Sequence, residues 1–90
     1  MVKERTSPGD QSREDVGSER LLILYNDDHN SFDHVIQSLV EVCGHDEIQA
    51  EQCAVIAHFR GKCDISRGSI GLLSAMQASL QGRDLTVEII

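Results

Sequence analysis

Apolar residues along this chain recur with two spacings, one suited to strands and one to helices. Leu21-Leu22-Ile23-Leu24-Tyr25 is a short continuous apolar run closed by Asn26-Asp27-Asp28. A run too short for a helix and ended by turn formers predicts a central or well-covered strand. Asn30 and Asp33 then read as an N-cap and its third-position carboxylate, a weaker form of the capping box closed by Glu or Gln. Phe32, Val35, Ile36, Leu39, Val40 and Cys43 share one side of a helix expected over about 31–43, the stripe that packing on a sheet requires. Gly44 suits the positive-φ position after its end. Asp46 and Gln49 open a second helix over about 47–60. Ile48, Val55 and Phe59 form one apolar row on it, with a row of small residues (Ala50, Cys53, Ala54, Ala57) alongside. Small side chains permit close approach by either a helix or a ligand.

Gly61 ends the second helix, and Lys62 to Ile65 predict a short strand with Cys63 and Ile65 on one face. Arg67-Gly68-Ser69 breaks the chain again. Ile70, Leu73, Met76 and Leu80 then define a third helix with a narrow apolar face, ended by Gly82. Leu85, Val87 and Ile89 alternate with Thr86 and Glu88 as a final strand. The predicted fold is α+β: a three-stranded sheet packed against three helices in the order β-α-α-β-α-β.

Composition changes sharply before residue 21. Residues 1–20 hold Pro8, Gly9, Gly17 and many polar and charged side chains, with almost nothing to bury. This predicts a flexible tail at 1–20 and one domain at 21–90. The tail is equally suited to being inert or to lying against a partner. The 90 residues allow a modest, mainly aliphatic core, since the chain has two Phe, one Tyr and no Trp. The formal net charge of -7 opposes attraction to phosphate backbones, and no basic stripe or stacking-aromatic pattern points to nucleic acid. It suits a cationic group or a basic partner surface. No apolar run reaches the roughly 20 residues of a membrane helix, and the N-terminus has no secretory pattern. Cys43, Cys53 and Cys63 are odd in number and lack CxxC spacing, so reduced, largely buried thiols and a cytoplasmic location are expected.

Two features carry candidate chemistry. Asn26-Asp27-Asp28 reads either as an ordinary turn, in which Asn and Asp bond to nearby amides, or as an acidic edge that receives a cation or the NH3+ group of a peptide. His58, late in the second helix, reads either as a packed or capping histidine or as an acceptor for an ammonium proton. One His with carboxylates but no paired nucleophile is too thin a set for catalysis. His29 and His34 are five apart, unlike the i,i+4 metal pair of a helix. The expectation is a binding domain without enzymatic activity, metal or cofactor.

Leu24-Tyr25-Asn26-Asp27-Asp28, Val35, Gln49-Ala50 and His58-Phe59-Arg60-Gly61, followed by the return from Gly82 to Leu85, together resemble the ClpS family of bacterial N-degron adaptors. The resemblance covers about residues 20–90. It implies an adaptor that binds N-degron peptides and proteins through a free α-amino group and a bulky apolar first side chain; a monomer is expected because the sequence shows no exposed apolar stripe. It further implies delivery to a Clp AAA+ unfoldase feeding the ClpP protease. By position, Asn26, Asp27 and His58 would hold the α-amino group, with Asp28 completing the motif. Phe32, Val35, Ala54, Ala57 and Leu85 would line the side-chain pocket. Four positions depart from the family pattern. Ser31 stands where Pro is frequent, which would loosen the helix start. Ala54 stands where a larger residue such as Met is common, which would widen the pocket. Gly71 and Met76 stand where the family places a Glu and a basic residue for unfoldase docking. The other reading is a general protein-interaction domain of the same architecture, related to the C-terminal fold of the ribosomal stalk protein, with no preference for free amines.

Overall fold

The computed structural model describes residues 19–90; the sequence reading of residues 1–18 lies outside them. The elements are β1 (Arg20–Tyr25), α1 (Phe32–Cys43), α2 (Glu47–Arg60), β2 (Lys62–Gly68), α3 (Ile70–Gly82) and β3 (Thr86–Ile89). Their order and the α+β class match the sequence reading. The sheet runs β2-β1-β3, with β1 central and antiparallel to both neighbours. The continuous apolar run of β1 therefore takes the one position bordered by strands on both sides.

Leu22 and Leu24 of β1, Cys63 and Ile65 of β2 and Val87 of β3 meet Leu39, Ala50, Cys53, Ala57, Leu73 and Leu80 from the helices. Of the two rows on α2, the small one faces inward: Ala50, Cys53, Ala54 and Ala57 are buried, while Ile48 and Phe59 are 69% and 78% exposed. Short side chains let this helix approach the core closely, so its large residues are left outside.

The helix ends follow local chemistry with one correction. The N-cap of α1 is Ser31, not Asn30: its hydroxyl accepts from the His34 amide at 3.1 Å. Ser31 thus lies just outside the helix and fastens its start. α3 ends at Gly82, as expected. Its C-cap is Arg83, and the positive φ of 73° falls on Asp84. At α2, Asp46 caps as expected, accepting from the Gln49 amide at 2.7 Å. Gly44 and Gly61 end α1 and α2 at φ 75° and 93°, conformations that cost side-chain-bearing residues free energy.

β2 runs three residues beyond the Lys62–Ile65 expected. Leu22 pairs with Ser66 and Ile23 with Asp64, so Ile65 is the extra residue of a β-bulge. The buried His45 turns its Nε2 to the Ile65 carbonyl at 2.7 Å. A carbonyl only accepts, so Nε2 carries the proton. Among the described residues no helix is long and apolar enough to cross a membrane.

Candidate functional site

The loop from β1 to α1 is shaped by one side chain. Asp27 Oδ1 accepts from the backbone amides of Asn30 at 2.8 Å and His29 at 3.2 Å, and Oδ2 accepts from the Asn30 side-chain amide at 2.9 Å. Asp27 is only 14% exposed. Burial, the largest influence, pushes its carboxyl up. The Asn30 and His29 hydrogen bonds and the nearby His29 ring outweigh it, and the net value lies below the ordinary 3.8. A carboxylate fixed by donors stays ionised and oriented.

Other parts of the chain hold this loop in place. The Asn26 amide donates to the Gly61 carbonyl at 3.0 Å, tying it to the turn after α2. The Asn30 side chain also donates to the Asp84 carbonyl at 2.8 Å, and His29 Nε2 reaches Asp84 Oδ2 at 2.8 Å. His34 Nε2 donates to the Arg83 carbonyl at 2.7 Å. The α3–β3 turn is thereby fastened at two points to the acidic loop and at a third to the first turn of α1. Asn30 is the residue that sequence reasoning undervalued. Taken there as a cap, it instead joins Asp27 to a turn 54 positions away. A polar residue next to an acidic turn was its only signal.

A cavity of about 220 Å³ opens between this loop, α1 and α2. Asn26, Asp27 and Asp28 line it from the loop, Phe32 and Val35 from α1, and Ala54, Ala57 and His58 from α2. Its volume is below the roughly 300–1,000 Å³ of sites that engulf a whole small-molecule ligand. A single side chain is the better match. Ala54 and Ala57 are 4% and 3% exposed, and with Val35 they supply apolar walls. His58 stands exposed beside Phe32, their rings 5.2 Å apart and inclined at 60°. The cavity thus joins carbonyl, carboxylate and imidazole acceptors to an apolar recess.

Not every predicted position lies here. Leu85 is 4% exposed and belongs to the core, outside the cavity lining. It precedes β3, and its amide closes on the Leu80 carbonyl at 3.0 Å. Gly71 and Met76 lie on α3, away from the cavity lining. Gly71 is exposed, with nothing within 4 Å of an added Cβ. Met76 packs partly on the core. The thiols are neutral and inward-facing: burial pushes Cys43 up to about 11 and Cys63 up to about 12.

Fold and site together define a small α+β domain with an acid-rimmed apolar recess. The model of the family "ATP-dependent Clp protease adaptor protein ClpS" matches residues 18–86. The chain belongs to this family, which is one of protease adaptors. Among solved structures, it is similar in fold to Agrobacterium tumefaciens ClpS2 bound to L-phenylalaninamide. The TM-score is 0.65 at 16% sequence identity, covering 80% of this chain and 96% of that one. No curated protein matches by sequence.

Proposed function

We propose that this adaptor recognises N-degrons: it binds the free α-amino group of a substrate at Asn26, Asp27 and His58 and seats the first side chain against Phe32, Val35, Ala54 and Ala57. The observation that carries this reading is the meeting of the fixed Asp27 carboxylate and the His58 ring with an apolar recess in one cavity. An α-ammonium group presents a charge and several N–H donors, and charge-assisted hydrogen bonds give it direction. Asp27 Oδ2 accepts one bond from Asn30 and retains capacity for another. The His58 ring offers a nitrogen that can accept a further N–H. Asp28, exposed at the rim, adds negative potential. L-phenylalaninamide, the ligand of the A. tumefaciens neighbour, combines a free amine with an apolar side chain, as this site requires.

The recess supplies selection, because polar contacts alone accept any free N-terminus. Full burial of a bulky first side chain contributes roughly 1.5–3 kcal/mol. Ala54 leaves more room than Met, so tolerance extends to a broader set of large first residues, and Ala54→Met narrows it. Delivery follows from the adaptor role, with a Clp AAA+ unfoldase as the partner. Gly71 and Met76 give α3 a docking surface without the family's Glu and basic residue. Since Gly71 has open space around it, Gly71→Glu tests that surface without disturbing the core.

Peptides beginning with free Phe, Leu, Ala or Met, and with acetylated Phe, decide the reading against wild type and Asp27→Ala. Free Phe and Leu should bind tightly and acetylated Phe hardly at all, with Asp27→Ala losing the distinction. Equal binding of free and acetylated Phe peptides would sink the proposal.

A further inference from the structure

Phe59 is left unused by the site as described. One of two phenylalanines in the chain, it is 78% exposed on α2. Its ring meets the His58 imidazole edge-on, with centroids 4.9 Å apart and planes at 87°. His58 in turn meets Phe32. The imidazole therefore stands between two aromatic rings, of which Phe32 lines the cavity and Phe59 does not. Val55, one helical turn earlier, is 40% exposed. Residues four apart are neighbours on a helix surface, so the two form an apolar patch that adjoins the cavity through His58.

We infer that Phe59, with Val55 behind it, is a second subsite: it receives the side chain of the substrate's second residue and favours an apolar one. This rests on the N-terminus-binding reading above. Consecutive Cα atoms are about 3.8 Å apart. A second residue whose predecessor's amine is held at His58 is thus within side-chain reach of the adjacent ring. Successive side chains of an extended peptide point to opposite sides. With the first directed into the cavity, the second is directed out past its rim. On the loop side the rim is Asn26, Asp27 and Asp28, which offers an apolar side chain nothing. Phe59 is the apolar surface on the α2 side.

Binding of Phe-Ala and Phe-Leu peptides, each free and acetylated, tests the inference against wild type, Phe59→Ala and Phe59→Leu. Phe59 is exposed, so neither variant threatens the fold. Wild type should prefer free Phe-Leu to free Phe-Ala by about three- to tenfold, the effect of partly burying an aliphatic side chain. Phe59→Ala should erase that preference, and Phe59→Leu should keep part of it. The inference is overturned if wild type shows no second-residue preference. It is also overturned if Phe59→Ala weakens both peptides equally, because Phe59 then acts only by positioning His58. If free and acetylated peptides bind alike, the N-terminus reading itself fails and the subsite falls with it. That outcome is distinct from a lost Leu preference over intact amine selectivity.

Discussion

Asp27 is held by donors of its own loop, and this has a consequence in acid. Its folded-state value lies below the ordinary 3.8 because Asn30 and His29 favour the ionised form against the opposing effect of burial. For a depressed carboxyl, the stabilisation is complete above the unfolded value and is lost as pH falls through the lower folded one. Asp27→Asn should therefore be less stable than wild type at pH 7 by about 1 kcal/mol. The gap should narrow below pH 4, as read by urea midpoints at pH 7 and 3. A gap independent of pH would show that the charge of Asp27 contributes nothing. At this scale most of the candidate site was legible. Asn26, Asp27, Asp28 and His58 stood out as polar residues at element ends, and the resemblance connected them with Ala54 and Ala57. Asn30 and Leu85 were misplaced for related reasons. Each lies beside an element end, where a shift of one residue changes what its side chain meets.

At the scale of elements, α2 was legible to the residue because an Asp cap and a terminal Gly bracket it. The start of α1 was not, since Asn30 and Ser31 are both good caps and only the tertiary tie of Asn30 to Asp84 leaves the role to Ser31. The extension of β2 was hidden for a similar reason. Arg67-Gly68-Ser69 reads locally as a break, yet Ser66, Arg67 and Gly68 pair with Leu22, Leu21 and Arg20 of the central strand, and pairing overrides local preference. The bulge at Ile65 leaves a carbonyl outside the ladder, and His45 satisfies it from the α1–α2 connection. His45→Ala removes the donor and opens space at a buried position. It should destabilise the fold by about 1–3 kcal/mol, with His45→Gln recovering part through its side-chain amide. Thermal denaturation of both variants checks this, and a loss below about 0.5 kcal/mol would mean that water reaches the carbonyl instead.

Across the whole molecule, the proposed clamp lies where three connections meet: the β1–α1 loop, the turn after α2 and the α3–β3 turn. Residues far apart in sequence thus hold in place the loop that carries this carboxylate, which is why element patterns could place the loop but not show how it is held. The same scale governs how a substrate arrives. The chain carries a formal net charge of -7, while an α-ammonium ligand is cationic, so the field of the whole protein attracts it before any contact forms. That field is screened over about 10 Å at 0.1 M salt. The proposed contact, at an Asp27 side chain only 14% exposed, would be screened far less. Raising salt from about 0.05 to 0.5 M should therefore slow association of a free Phe peptide several-fold, by roughly three- to tenfold, and change dissociation less. Adding a Lys to the distal end of the peptide should steepen the association slope, because a second charge then feels the same field. Stopped-flow measurements on the two peptides separate the rates. An association rate indifferent to salt would assign the recognition entirely to the local contacts around Asp27 and His58.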